Sequence, residues 1–197
     1  MKKNVWLLRP LPHGNDCLNE FLEENFIAVG YPAGISFSNL SYNVLRETLK
    51  NNNWEEGIGN VNILVNSMQI GDLVVVPSTN KKDVYIGEIT SDYVYSQDLD
   101  ENREGTGYPH QRKVTWFFNK QALLRSDLPD ELRSSLRYPG AVADLTKHYS
   151  LVEQLINGGI ISIDSDLQQR AWKVIEDLLE SDDENIRLHA ATLILNK

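Results

Sequence analysis

The stretch from Gly71 to Phe118, GDLVVVPSTNKKDVYIGEITSDYVYSQDLDENREGTGYPHQRKVTWFF, most constrains what this chain folds into. Gly71-Asp72 is a turn signal, and Leu73 to Val76 is a mostly β-branched run that Pro77 ends. Val84 to Ile89 is apolar again, with Gly87 inside it, and Val114 to Phe118 makes a third run. Short apolar runs bounded by Gly, Pro, Asn and Asp read as strands rather than helices. The stretch therefore predicts an antiparallel meander with a long loop from about Ser96 to Pro109.

Around this meander the remaining patterns mix strand and helix, so the expected class is α+β. Asn4 to Leu8 reads as a first strand and Phe26 to Val29 as a second, closed by GYPAGI. Asn15 or Asp16 caps a helix to about Asn25 that carries Leu18, Phe21 and Leu22 on one face. A second helix is expected from Ser38 or Asn39 through Leu49, and a third over Val61 to Met68. The loop between them contains Trp54, and Asp127 or Asp130 starts a short helix further on. A boundary falls near Asn157-Gly158-Gly159, dividing a domain over residues 1–150 from a segment over 160–197. In that segment Leu167, Ala171, Val174, Ile175 and Leu178 repeat at helical spacing, as do Ile186, Ala190, Leu193 and Ile194. Two helices joined by the acidic turn SDDEN make an αα-hairpin, and DENIRLHAATLIL resembles one unit of a HEAT-like repeat. One unit cannot bury its own apolar face. Leu178, Ile186 and Leu193 are thus expected to pack on the domain or on a second copy, or to recruit a protein partner.

The net charge of −9 and pI near 4.9 argue against indiscriminate coating of nucleic acid. The charge is uneven. Residues 151–197 hold four Lys or Arg against nine Asp or Glu, whereas residues 103–137 hold seven against four. A local basic strip is compatible with a narrow phosphate-contacting site, or with a solvated face. No apolar run approaches the roughly 18 residues of a membrane helix, and the apolar patch near the N-terminus is too brief for a signal segment. Cys17 stands alone, which excludes a disulfide framework and implies a reducing, cytoplasmic setting.

An ordered series of short motifs carries a family resemblance. It comprises Gly71 to Pro77, Tyr85-Ile86-Gly87-Glu88-Ile89, Tyr93-Val94-Tyr95, His110 to Trp116, Arg125-Ser126-Asp127-Leu128, and Leu132 to Leu136, with Ile27 to Tyr31 as the early strand. Over roughly residues 3 to 145 the series resembles the PUA-like domains related to EVE and YTH, of the kind fused to Mrr-type restriction endonucleases. The resemblance implies a twisted β-barrel of five or six strands with packed helices. It also implies a pocket for a flipped, modified base of DNA or RNA or another small nucleotide-like ligand, no cofactor, and a place in bacterial defence. In that family the early strand usually ends in Gly-Trp, where this chain has Gly30-Tyr31.

A flipped base is stacked on aromatic or apolar faces and read along its hydrogen-bonding edge. Tyr31, following Gly30 at the strand end, is the first candidate wall. Trp6 and Trp116 are further candidates, with core packing as the competing role. Ser78 is placed to donate to a base edge or phosphate, or to serve a turn. Gly87 permits close ligand approach or marks a bulge. Arg112 and Lys113 point to opposite faces of one strand, and Arg112, with its planar fork, is the choice for phosphate contact.

An enzymatic reading fares less well. Gln111-Arg112-Lys113 matches the Q-x-K tail of a restriction-type nuclease, but its metal ligand would have to be Asp92 or Asp98, outside any carboxylate cluster. His13, His110, His148 and His189 are scattered without metal-ligand spacing, and no Walker loop, Gly-x-Gly-x-x-Gly or Gly-x-Ser-x-Gly occurs. Two expectations remain: a non-catalytic reader of modified nucleic acid, or a scaffold that recruits partners through its acidic helical hairpin.

Overall fold

The computed structural model describes residues 3–101, 107–158 and 173–195. The chain divides into two compact units, residues 1–156 and 157–197.

The first unit is α+β, built on a curled open sheet. Its principal strands are β1 (Val5–Leu8), β2 (Phe26–Val29), β3 (Leu73–Pro77), β4 (Asp83–Ile89), β6 (His110–Trp116) and β8 (Val142–Asp144). They lie in the order β2-β6-β4-β3-β1-β8; the two-residue strands β5 (Val94–Tyr95) and β7 (Leu123–Leu124) pair with β6 and β4. The β3-β4-β6 core is antiparallel, as the meander requires. β1 pairs parallel with β3 on its far side. Every residue of β1 and β3 is buried, which is why these strands read as unbroken apolar runs rather than alternating ones.

Helices pack on these strands and share one core with them, to which they contribute Leu18, Phe21, Leu45, Leu49 and Val61. Helix α1 (Leu18–Glu24) starts where Asp16 accepts from the Leu18 amide and stops at Asn25, whose φ of 56° is left-handed. Helix α2 (Tyr42–Asn51) buries Leu45 and Leu49, one turn apart. It begins later than its pattern predicts because Asn39 sits at φ 61°, outside helical space. The expected helix over Val61 to Met68 is instead α3 (Ile58–Asn62) followed by one π-turn (Ile63–Ser67). Helices α4 (Asp130–Ser135) and α5 (Tyr149–Ile156) complete the unit.

Strand β6 departs most from expectation. It begins at His110 rather than Val114, and ends at Trp116 because Phe118, Asn119 and Lys120 all have positive φ. Its first three residues are polar, yet His110, Gln111 and Arg112 are each buried.

In the second unit residues 173–179 are helical, and a further helix spans Glu184–Leu195. Leu167 and Ala171, on the first expected helix, lie outside the described residues. Leu178 and Ile186, expected to pack on the domain or on a second copy, are 40% and 41% exposed in the single chain, and the Leu193 side chain lies outside what the structure describes.

Candidate nucleotide-binding pocket

The two ends of the open sheet face each other across one side chain. Asn60, on α3, donates from Nδ2 to the Tyr31 hydroxyl at 2.8 Å and accepts the Val142 amide of β8 on Oδ1 at 3.2 Å. Tyr31 lies two residues beyond β2, so Asn60 ties the β2 end to the opposite edge without any strand ladder between them. A cavity of about 280 Å³ opens at this seam, lined by Arg9, His13, Gly30, Tyr31, Trp54 and Glu56 among others.

Its wall is aromatic. The Tyr31 and Trp54 rings meet edge to face at 5.9 Å, and the His13 ring lies 5.1 Å from Trp54 and 6.4 Å from Tyr31. Each ring is held by its polar handle. Trp54 Nε1 donates to the Pro32 carbonyl at 3.1 Å, and His13 Nε2 lies 2.9 Å from the Gly107 carbonyl. Burial holds the Tyr31 phenol above its usual pKa, against the opposing pull of the Asn60 amide, so it is a neutral hydroxyl at pH 7.

Glycines make room for these rings. A Cβ on Gly57 would collide with the Tyr31 ring, and one on Gly30 would lie 2.7 Å from His13 Nε2. Tyr31 itself sits at φ 73°, a conformation that costs an L-residue about 1–3 kcal/mol and persists only where its surroundings enforce it.

A directed hydrogen-bond chain does the enforcing. The Phe37 amide donates to the Tyr93 hydroxyl at 3.1 Å, which leaves the hydroxyl proton for His110 Nδ1 at 2.8 Å. The remaining His110 proton is then on Nε2, 3.2 Å from the Tyr31 carbonyl, which can only accept. Phe37 stacks on the imidazole at a centroid distance of 4.0 Å. Burial lowers the His110 pKa to about 4, so the ring is neutral and keeps this tautomer at pH 7.

The residues singled out from sequence do not all converge here. Gly30 and Tyr31 line the cavity. Trp6 belongs to the core: its indole donates to the buried Asp72 carboxylate at 2.8 Å. Trp116 is also buried and donates to the Phe21 carbonyl at 3.2 Å. Gly87 makes room for Val114 and Trp116, into which a Cβ would run. Ser78 serves the β3-β4 turn, accepting from the Asn80 amide on its hydroxyl.

Arg112 is the main correction. Only 3% exposed, it donates to the carbonyls of Leu64 at 2.6 Å, Val65 at 3.0 Å and Ser91 at 3.1 Å. The planar fork that suits phosphate here satisfies two carbonyls of the π-turn and that of Ser91, so Arg112 is not presented to a ligand.

Sequence reasoning passed over His13, Trp54, Asn60, Arg9 and Glu56. Trp54 carried the one legible signal, a large aromatic in a polar loop. The others come together only through the topology.

A family model described as a domain of unknown function (DUF8426) matches residues 9–137. No curated protein matches the chain. Among solved structures the chain is similar to a hypothetical protein from Leishmania major, at 14% identity and a TM-score of 0.41, over 79% of this chain and 96% of that one.

Proposed function

We propose that this chain, which belongs to the family described as a domain of unknown function (DUF8426), is a non-catalytic reader that takes a flipped, modified base of DNA or RNA into the Tyr31 pocket. The observation that carries the reading is the wall of Tyr31, Trp54 and His13 beside a cavity of about 280 Å³. That volume lies at the lower end of the roughly 300–1,000 Å³ of small-molecule sites, suited to one flat ring system rather than a larger ligand. Aromatic faces supply stacking worth about 1–3 kcal/mol per base. Glu56 offers an acceptor and Arg9 donors for the base's polar edge. The curled open sheet is compatible with a PUA-like barrel, the finer fold assignment that belongs with this reading, as does a role in bacterial defence.

Pre-organisation supports the same reading. Tyr31 is held at positive φ by His110 from behind and by Asn60 at its hydroxyl, so little ordering cost remains on binding. Equilibrium binding of the purified protein to paired modified and plain DNA and RNA oligonucleotides tests it. Tighter binding to at least one modified strand supports the reader, and equal binding throughout the panel contradicts it.

A second reading, recruitment of a protein partner or a second copy through residues 160–197, has its own observation. Val174, Leu178, Ile186 and Leu188 of that unit are 57%, 40%, 41% and 68% exposed. Removing the segment and measuring mass in solution, alone and with co-purifying proteins, separates this from base reading.

A further inference from the structure

The described residues of this acidic protein contain one place where several arginines gather. The C-terminal turn after α4 is the focus. Arg9 Nη2 donates to the carbonyls of Leu136 at 3.0 Å and Tyr138 at 2.6 Å. Arg125 Nη2 reaches the Arg133 carbonyl at 3.4 Å, and Arg133 Nη1 donates back to the Ser126 carbonyl at 3.1 Å. Arg137 lies in the same turn, exposed. Four guanidinium-bearing residues thus converge on one short stretch of backbone.

Their charges are only partly answered. Arg133 pairs with Asp130, but among the described residues Arg9, Arg125 and Arg137 form no ion pair. The remaining acidic groups of the segment are Asp127, which accepts from the Ser126 hydroxyl at 2.9 Å, and Glu131 in the first turn of α4, and neither forms an ion pair among the described residues. Bonds to carbonyls at the end of α4 and in the turn after it account for one nitrogen each of Arg9 and Arg125. A guanidinium has five N–H donors, so most of theirs have no acceptor among the described residues. The mutual repulsion registers on Arg125, whose hold on its proton is weakened by burial first and then by Arg9, Arg137 and Arg133. A bound polyanion would relieve that repulsion.

The cluster is continuous with the pocket. Arg9 lines the cavity, and its amide donates to Ala141, another lining residue, at 2.8 Å. Tyr138, 49% exposed, stands beside it with its ring against Gly140, where a Cβ would not fit. A basic surface with an exposed aromatic, leading into a base-sized pocket, matches what a nucleic-acid strand presents: phosphates in a row, with bases to stack.

We infer that Arg9, Arg125 and Arg137, with Tyr138 at their edge, form the track that holds the sugar–phosphate backbone next to the nucleotide whose base enters the Tyr31 pocket. This rests on the base-reading assignment for its orientation, but not for its chemistry. Phosphate contacts position a strand and carry no sequence information. Arg9 joins the two sites, contributing to both pocket and track.

The test is the salt dependence of binding to a plain single-stranded DNA oligonucleotide and to its modified counterpart. The variants are Arg125→Gln, Arg137→Gln and the double variant, with Lys50→Gln on α2 as a control for net charge. Arg137 makes no side-chain hydrogen bond among the described residues, so its replacement leaves the fold intact even if Arg125→Gln does not. Each lost phosphate contact should lower the slope of log affinity against log salt by about 0.7. Affinity for both oligonucleotides should fall by the same factor, with Lys50→Gln unchanged. Unchanged slopes in Arg137→Gln, equal losses in Lys50→Gln, or no binding of the plain strand by the wild-type protein at low salt would each overturn the inference. Arginine-dependent binding without preference for the modified strand would retain the track and remove the base reading. Preference that survives in the double variant with unaltered slopes would do the reverse.

Discussion

The imidazole of His110 holds the backbone of Tyr31: its Nε2 proton faces the Tyr31 carbonyl at 3.2 Å, and Tyr31 sits at φ 73°. A buried histidine, neutral and of fixed tautomer, thus maintains the strained residue that forms the pocket wall. His110→Phe keeps a flat ring against Phe37 but leaves both the Tyr31 carbonyl and the Tyr93 hydroxyl short of a partner. Each buried group left unsatisfied costs about 1–3 kcal/mol. The expected outcome is a loss of that order for each in urea unfolding, with weaker oligonucleotide binding as Tyr31 relaxes.

The same histidine gives stability a pH dependence of definite sign. Its pKa is lowered to about 4 in the folded protein by burial, from 6.5. Between these values the unfolded chain binds the proton and the native one does not, so stability falls as pH falls from 6.5 towards 4. The slope from His110 is about 1.4 kcal/mol per pH unit. His148, also held low mainly by burial, acts in the same direction. Urea unfolding at intervals from pH 7 to 4.5 should show this slope, and His110→Phe should reduce it.

Arg112 should behave as a structural residue. Arg112→Leu leaves the carbonyls of Leu64, Val65 and Ser91 without their donor and is expected to destabilise the fold by about 1–3 kcal/mol for each. In variants that stay folded under the assay conditions, Arg112→Gln should leave the salt dependence of oligonucleotide binding unaltered. Denaturant melts and a salt titration check the two halves separately.

Gly57→Ala isolates the pocket from the fold. Gly57 has φ −78°, which any residue adopts, so only the new methyl matters. That methyl collides with the Tyr31 ring. Binding should weaken several-fold, with thermal stability lowered by no more than about 1–3 kcal/mol, the usual cost of overpacking. Paired melting and binding curves read the difference.

How far the sequence disclosed all this depended on burial. β1 and β3 were legible because strands covered on both faces are apolar without interruption. The start of β6 was not, because His110, Gln111 and Arg112 are buried polar side chains, and His110 and Arg112 are satisfied by hydrogen bonds to partners far away in sequence. Nothing local marks a histidine that will be capped by Tyr93 and Tyr31. Tyr31 was legible because it closes a strand behind a glycine. Trp54, His13 and Asn60 lie on a loop, a turn and a helix in three separate segments, and only the chain's path brings them to Tyr31. Trp6 and Trp116 were read as potential walls because an indole's polar handle gives no sign, in sequence, of whether protein or ligand will satisfy it.

The most direct measurement is the ratio of Kd values for plain and modified oligonucleotides, taken for the wild-type protein and for Tyr31→Ala, with near-ultraviolet circular dichroism to verify the fold. If Tyr31 stacks on an extruded base, its removal costs about 1–3 kcal/mol of binding to the modified strand, several-fold to over a hundredfold. The plain strand, held by phosphates, loses much less. The expected result is a ratio well above one in the wild type that collapses towards one in Tyr31→Ala. A folded Tyr31→Ala protein with the wild-type ratio, or a wild-type protein that binds both strands equally, would contradict it.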